Sequence, residues 1–167
     1  GCTRGSETGS ISIGEYSGGI SDRIKKLAKI LEDGGFEVQM VDDVNSLIWT
    51  KLAVNVGINA IGALCRITNG QTHLVKPAGE IQKLAVEELM KVAKLEGIKL
   101  DYDHLYQHVT DVAVRTQSNK CSMLQDIENV NHTEVLAING AIVDRGKKHG
   151  IETPVNFVLM NLVKAAE

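Results

Sequence analysis

Apolar residues alternate with polar or small residues in two short stretches near the start of the chain, SISIGEY and FEVQMV. The segment between them instead carries apolar residues at helical spacing, namely Ile24, Leu27, Ile30 and Leu31. Ser21 is placed to cap the start of this helix, and Gly34 or Gly35 its end. The pattern predicts strand, helix and strand within the first 41 residues. Two strands are too few for a sheet with its own core. We therefore expect this unit to be either the edge of a larger sheet or a fragment cut from a larger sheet, and we favour the fragment.

After the second predicted strand, the apolar period is helical throughout and no further strand is predicted. We predict helices over residues 44–66, 77–96, 102–117, 121–128, 132–148 and 154–166. Gly97 and Gly150 follow predicted helices at the position where a residue in the left-handed backbone conformation commonly ends a helix. Pro77 and Pro154 lie at the first position of predicted helices, where proline is favoured. Thr153 can cap the last helix. The chain is therefore expected to be mainly α.

The composition limits the class of partner. Hydrophobic residues make up 43% of the 167 residues, charged residues make up 23%, and the formal net charge is −3, so nucleic acid is an unexpected partner. Cys2, Cys65 and Cys121 are an odd number without CxxC spacing, which favours reduced, structural thiols. No uninterrupted apolar stretch long enough for a bilayer and no signal peptide are recognised, and the first ten residues read as a tail or loop. We expect a cytoplasmic protein that does not bind membranes.

A line of polar residues runs through the most apolar predicted helix. Lys51, Asn55 and Asn59 recur every fourth residue, and such positions advance only about 40° per step around a helix. We call these three residues the polar stripe and expect Lys51 to be half-buried. The amides and the ammonium either form a buried polar network between helices or line a polar cleft. Gly57, in the middle of the helix, indicates a close approach to its backbone.

Further motifs follow the polar stripe in a fixed order. The sequence W-x-K-L-x-x-N-x-x-x-N spans Trp49 to Asn59, and after it come NG at 69–70, SMLQDI at 122–127, HTEV at 132–135, INGAIV at 138–143 and HGIETPVN at 149–156. In order and interval these motifs resemble the ketopantoate reductase family over residues 10–166. Members of that family join an N-terminal Rossmann domain that binds NADPH to a helical domain similar to the C-terminal domain of 6-phosphogluconate dehydrogenase.

The resemblance implies NADPH-dependent reduction of 2-dehydropantoate, a small 2-oxo acid, to (R)-pantoate on the route to pantothenate and coenzyme A. Lys51 matches the family's catalytic lysine, which as general acid would protonate the oxygen on which charge develops. Asn55 and Asn59 match its substrate-binding amides. Each amide offers both a donor and an acceptor, which suits a carboxylate beside a hydroxyl.

Three residues beyond the polar stripe also match functional positions of the family. Asn69 falls at a further substrate-binding asparagine, and Ser122 at the serine that binds the carboxylate end of the substrate. Glu134 matches a glutamate that contacts the cofactor and helps to order the lysine. Without the resemblance, Glu134 and Thr133 are equally compatible with the capped start of a helix.

The chain departs from the family pattern at its start, because the sequence contains no GxGxxG. Residues 1–43 resemble only a tail and the β-α-β end of a dinucleotide-binding domain, and residues 44–167 resemble the helical substrate-binding and catalytic domain. We therefore expect the chain to be the C-terminal part of a longer enzyme, inactive by itself and weak in NADPH binding.

Other interpretations remain open. His104 and His108 have the i, i+4 spacing of a metal pair, but no third ligand is evident, so we predict surface residues and no metal site. Leu84, Leu89 and Val92 are expected to be core or subunit contacts, and a homodimer through the helical domain is possible. Two rival functions are a related 2-oxo acid reductase of the same superfamily and a non-catalytic helical dimerisation domain.

Overall fold

The computed structural model describes residues 10–167. Cys2 and all but the last residue of the expected ten-residue tail lie outside this range. The chain divides into two compact units, one as far as Ile48 and the other from Trp49 to Glu167. Helix α2 (Val44–Cys65) begins in the first unit, and its residues from Trp49 onward belong to the second.

The first unit contains the predicted strand, helix and strand. Strands β1 (Ile11–Ile13) and β2 (Val38–Met40) are parallel, and helix α1 (Asp22–Asp33) connects them. The Ser21 side chain accepts a hydrogen bond from the Ile24 backbone N–H, as its predicted capping role requires. Helix α1 buries Ile24 and Ala28, whereas Ile30 on its predicted apolar face is 67% exposed. The apolar face of α1 is therefore only partly covered within the described residues.

The second unit is all-helical, as predicted. Its further helices are α3 (Gln71–Leu74), α4 (Lys76–Leu95), α5 (Leu105–Arg115), α6 (Ser122–Glu128), α7 (Asn139–Lys148) and α8 (Pro154–Ala166). The four-residue α3 was not predicted, because it is too short to show a period. The prediction that a helix begins at residue 132 is wrong. The Glu134 carbonyl accepts hydrogen bonds from the N–H groups of Ala137 and Ile138 in a series of turns, and α7 begins only afterwards.

Helix α2 lies in the centre of the core and is buried on several sides. Its close neighbours explain Gly57, because a Cβ added there would lie 2.7 Å from Val109 Cγ1 on α5 and 3.2 Å from Val86 Cγ2 on α4. The expected close approach at Gly57 is therefore made by other helices of the core. Leu89 and Val92 are also core residues, whereas Leu84 is exposed.

The same helix corrects one expectation from the sequence. By length and composition α2 could cross a membrane, with a mean hydropathy of 1.4 over its most apolar window. However, 56% of that window is buried inside the protein. Burial of this kind is typical of a core helix, and it accounts for the apolar character of α2.

A buried carboxylate from α4 caps the start of α8. Thr153 occupies the predicted N-cap position, but its side chain makes no capping hydrogen bond. Instead, Glu88 on α4 accepts hydrogen bonds from the backbone N–H groups of Val155 at 2.8 Å and Asn156 at 2.9 Å. The prediction that Thr153 caps this helix through its side chain is wrong, because Glu88 has taken both donors.

The Asn156 side chain extends this contact to α7. Its Nδ2 donates to Glu88 Oε2 at 2.7 Å and to the Ala85 carbonyl at 3.1 Å, which leaves Oδ1 as the acceptor. Asn139 Nδ2, at the start of α7, donates to that oxygen at 2.9 Å. Both asparagines are fully buried. One connected set of hydrogen bonds therefore fixes α4, α7 and α8 together.

The other ends of α4 and α7 meet in a second polar contact. Glu96, at the C-cap of α4, lies 2.5 Å from Nε2 of His149 at the C-cap of α7, and 3.7 Å from the ammonium of Lys148. The hydrogen bond from His149 and the nearby Lys148 charge hold the pKa of the Glu96 carboxyl below its usual value. The basic last turn of α7 thus meets a carboxylate.

We predict that Glu88→Gln destabilises the chain by about 1.5–3 kcal/mol, the usual range for hydrogen bonds to a charged group. The amide keeps one acceptor oxygen and places an N–H against donors of the α8 N-terminus. Urea unfolding would measure the change. Glu87→Gln is the matched control, since the side chain of Glu87 lies on the surface, 4.0 Å from the Lys83 ammonium, and such exposed ion pairs contribute little. Equal stability of the two variants would contradict the capping role of Glu88.

We predict that Glu96→Gln lowers stability near neutral pH and that the difference from the wild type disappears in acid. A carboxyl whose pKa is lower in the folded state stabilises the fold above its unfolded pKa, here 4.5, and loses that contribution as the pH falls through the folded value. Unfolding free energies measured from neutral pH to about pH 2 should therefore converge. A difference that persists unchanged in acid would show that Glu96 acts through packing.

Candidate functional site

The polar stripe lies along α2 in order of increasing depth. Lys51 is exposed, Asn55 is half-buried, and Asn59 is only 6% exposed. The expectation that Lys51 is half-buried is wrong for this chain, because no described residue covers its side of the helix sufficiently. The stripe thus connects the surface of the second unit with its core.

Neither amide of the stripe has a partner in the described part of the chain. No hydrogen bond involves the side chain of Asn55 or Asn59 within residues 10–167. Neither amide is among the fully buried polar atoms without a partner, so water still reaches both, whereas a buried polar network between helices would have paired them. Of the two alternatives from the sequence, the geometry favours the polar cleft.

The start of the stripe is anchored by an aromatic contact that the sequence did not reveal. Trp49, two residues before Lys51, is buried, and the Arg145 guanidinium on α7 lies 5.5 Å from the centre of its ring. Arg145 also donates from Nη1 to the Ala141 carbonyl at 3.3 Å. The turn of α2 that carries Lys51 is therefore held on its opposite side by a cation–π contact.

Cys121 brings Ser122 close to the deep end of the stripe. The Cys121 Sγ accepts a hydrogen bond from the Leu124 N–H at the start of α6 and donates to the Asn59 carbonyl, both at 3.4 Å. Burial raises the pKa of this thiol, which keeps the donor protonated. Ser122 is the next residue and is exposed. The interpretation of Cys121 as structural agrees with these contacts.

Asn69 is held differently from the amides of the stripe. Its Nδ2 donates to Thr116 Oγ1 at 3.0 Å, and because that hydroxyl donates to the Val112 carbonyl at 2.8 Å, the orientation of the amide is fixed. The Asn69 Oδ1 is buried and has no partner. In this arrangement Asn69 joins the segment before α3 to the end of α5. It is less available to a ligand than Asn55 or Asn59.

Glu134 is exposed and lies in the turns before α7. The alternative that it begins a capped helix is wrong, since α7 starts at Asn139. Thr133 instead donates its hydroxyl to Glu167 Oε1 at 2.6 Å and accepts the Val135 N–H at 3.3 Å. Glu134 therefore projects from an ordered turn without serving as its cap.

The two histidines at metal-like spacing are exposed, as predicted. His104 Nδ1 lies 3.0 Å from Asp101, and this hydrogen bond raises the pKa of the imidazole. Within residues 10–167 no group of three or more His, Cys, Asp or Glu residues could hold a metal ion.

A carboxylate lies beside the start of α1 in the first unit. The carboxylate of Glu15 accepts hydrogen bonds from Ser21 and Arg23 at the start of α1, which lower its pKa. These side-chain bonds place a negative charge beside the start of α1, where it would repel a phosphate.

The family description "Ketopantoate reductase PanE/ApbA C terminal" matches residues 43–167. The chain belongs to this family. It is 37% identical to 2-dehydropantoate 2-reductase of Archaeoglobus fulgidus over 155 residues, 93% of this chain and 52% of the relative. A solved PanE/ApbA family ketopantoate reductase from Ralstonia eutropha JMP134 is 28% identical, with a TM-score of 0.88 over 98% of this chain and 53% of that one.

A solved D-mandelate dehydrogenase, in complex with NADH and anilino(oxo)acetate, is also similar. It is 30% identical, with a TM-score of 0.86 over 96% of this chain and 67% of that one. These likenesses confirm the family and the mainly helical fold class. The chain spans about half the length of the curated relatives it matches, between 52% and 55% for three of them.

Proposed function

We propose that this chain forms the helical part of an enzyme that reduces 2-dehydropantoate to (R)-pantoate. The observation that carries the proposal is the polar stripe, in which one exposed ammonium and two unpaired amides lie in line on a rigid helix. The family to which the chain belongs supports the reaction. The boundary at residues 43 and 44 and the individual site residues remain predictions.

Lys51 is the proposed general acid. Reduction of a ketone places negative charge on its oxygen, and an ammonium within hydrogen-bond distance both stabilises this charge and supplies the proton. Because Lys51 is exposed, its ammonium is free to reach a ligand without breaking an ion pair in the described residues. Asn55 and Asn59 would hold the hydroxyl and carboxylate groups of the substrate at increasing depth.

Ser122, Asn69 and Glu134 complete the proposed site to different degrees. Ser122 is exposed in the first turn of α6, where it could bind a substrate carboxylate. The unpaired Oδ1 of Asn69 could bind the substrate only after the surrounding residues move, since that atom is buried. Glu134 is the proposed contact to the cofactor.

The proposed electron donor is a nicotinamide cofactor, and NADPH is the finer proposal. Because the Glu15 carboxylate lies beside the start of α1, we propose that the diphosphate binds to residues outside 10–167. Association into a homodimer through the helical domain also remains a prediction, and one solved ketopantoate reductase, from Staphylococcus aureus, is dimeric. We place the reaction in the cytoplasm.

We predict that the 167-residue chain by itself binds NADPH weakly or not at all. The phosphates carry most of the charge that a protein can recognise, and the Glu15 carboxylate, bound to the Ser21 and Arg23 side chains beside the start of α1, would repel them. Isothermal calorimetry with NADPH would measure the affinity. Tight, saturable binding would contradict the assignment of the diphosphate to another part of the enzyme.

We predict that Lys51→Ala, in the enzyme that contains this chain, lowers kcat by about 10²–10⁴-fold and leaves the NADPH dissociation constant nearly unchanged. The ammonium interacts most strongly with the charged transition state, whereas the cofactor draws its binding energy from elsewhere. Lys91→Ala is the matched control, since Lys91 is also exposed on a helix of this unit.

Asn59→Ala should separate binding from catalysis. If its amide contacts bound substrate and transition state alike, KM rises more than kcat falls.

Wild-type turnover of a folded Lys51→Ala enzyme would contradict the assignment of the active site and favour the non-catalytic dimerisation domain.

A related 2-oxo acid reductase is the second candidate. The likeness to D-mandelate dehydrogenase, at 30% identity, shows that helical domains of this type also occur in an enzyme for another 2-hydroxy acid. Comparing kcat/KM for 2-dehydropantoate and for phenylglyoxylate would distinguish the two. Preference for the aromatic acid would replace the proposed substrate while keeping the proposed chemistry.

A further inference from the structure

A cavity of about 340 Å³ lies where the end of α7 approaches the start of α8, and the proposed reaction does not use it. Residues 151–154 form one side, Phe157 lies on α8, and Lys147 comes from the last turn of α7. Ligand pockets usually measure roughly 300–1,000 Å³, so this cavity suits a small molecule. None of its lining residues belongs to the predicted substrate site.

Thr153 lines this cavity with a hydroxyl that has no partner. The residue is 6% exposed, and its hydroxyl makes no hydrogen bond within residues 10–167. A threonine at an N-cap normally accepts a backbone N–H of its own helix. Here Glu88 accepts those N–H groups, so the hydroxyl of Thr153 remains available to the cavity.

Two opposite charges also line the cavity without being neutralised. The side chains of Lys147 and Glu152 are exposed, and neither forms an ion pair or hydrogen bond in the described part of the chain. Their neighbours differ in this respect, since Lys148 and His149 both contact Glu96. The lining of the cavity therefore includes a lysine, a glutamate and a threonine hydroxyl, none of which is paired in the described part of the chain.

The remaining wall is apolar. Ile151 is half-buried, Pro154 presents its ring, and Phe157 is 48% exposed despite its size. Apolar surface beside a few fixed polar groups is typical of sites for small molecules. A ligand that satisfies all these groups needs an apolar body, a negative group and a positive group.

We propose that this cavity binds a small apolar α-amino acid. Lys147 and the Thr153 hydroxyl bind its carboxylate, Glu152 binds its ammonium, and Phe157 with Ile151 contacts its side chain. A simple carboxylate would leave Glu152 unpaired, and a simple amine would leave Lys147 unpaired. A zwitterion, which carries both a carboxylate and an ammonium, is therefore favoured over a simple carboxylate or a simple amine.

L-Leucine is the probe for the first test, titrated into the ¹⁵N-labelled 167-residue chain. We expect saturable amide shifts confined to the α7 end and residues 147–157. The matched controls 4-methylpentanoate, which lacks the ammonium, and isopentylamine, which lacks the carboxylate, should each bind at least about tenfold more weakly. Absence of saturable shifts, or equal affinity for L-leucine and 4-methylpentanoate, would overturn the proposal.

Variants of the lining residues give the second test. Lys147→Met and Glu152→Gln should each weaken L-leucine binding about tenfold or more, while Lys91→Met, on the surface of α4, should not. Thr153→Val should weaken binding and Thr153→Ser should retain it, since only the serine keeps the hydroxyl. Wild-type affinity in both Lys147→Met and Glu152→Gln would show that the charges do not recognise the ligand.

Discussion

The buried carboxylate of Glu88 is the contact on which the arrangement of the last three long helices depends. Taking a carboxylate out of water is costly unless donors replace the lost hydration. Here two backbone N–H groups and the Asn156 amide supply them, at 2.7–2.9 Å, at the positive end of α8. Because Asn156 then accepts from Asn139, one carboxylate on α4 sets the starting points of both α7 and α8. The same contact frees Thr153 from capping, so a structural interaction in the core determines which hydroxyl faces the α7–α8 cavity.

The second constraint is the crowding around α2. Gly57 permits α4 and α5 to approach so closely that even a methyl group would collide with Val109. A helix held this tightly cannot easily rotate, which keeps the polar stripe on one line. The cation–π contact of Trp49 and the hydrogen bond from the Cys121 thiol hold the two ends of the same segment. The proposed active site therefore rests on packed helices, and its side chains differ mainly in depth.

Much of the fold follows from periodicity, whereas the contacts between elements do not. The bounds of α2, α4 and α8 were predicted within about two residues, because long apolar periods and flanking Gly or Pro residues mark them clearly. The start of α7 was misplaced, since the turns from Glu134 onward carry no breaker residue. Glu88 looked like any surface glutamate of an amphipathic helix, and only the tertiary fold reveals its burial. For the site, the spacing of Lys51, Asn55 and Asn59 predicted one line but could not predict that both amides lack partners.

The asparagines at the motif positions differ in how readily they could bind a ligand. The side-chain partners that they already have determine this difference. Asn69 has its amide nitrogen bound by Thr116 and its oxygen enclosed, so a ligand must first disturb that contact. Asn55 and Asn59 have no such contact to lose, so binding a ligand there satisfies groups that the protein leaves unpaired. Lys51 lies at the exposed end of this line. Proton transfer to a developing oxyanion is most effective where water is excluded, so the proposed role of Lys51 requires its exposed side to be covered by the substrate or by residues outside 10–167.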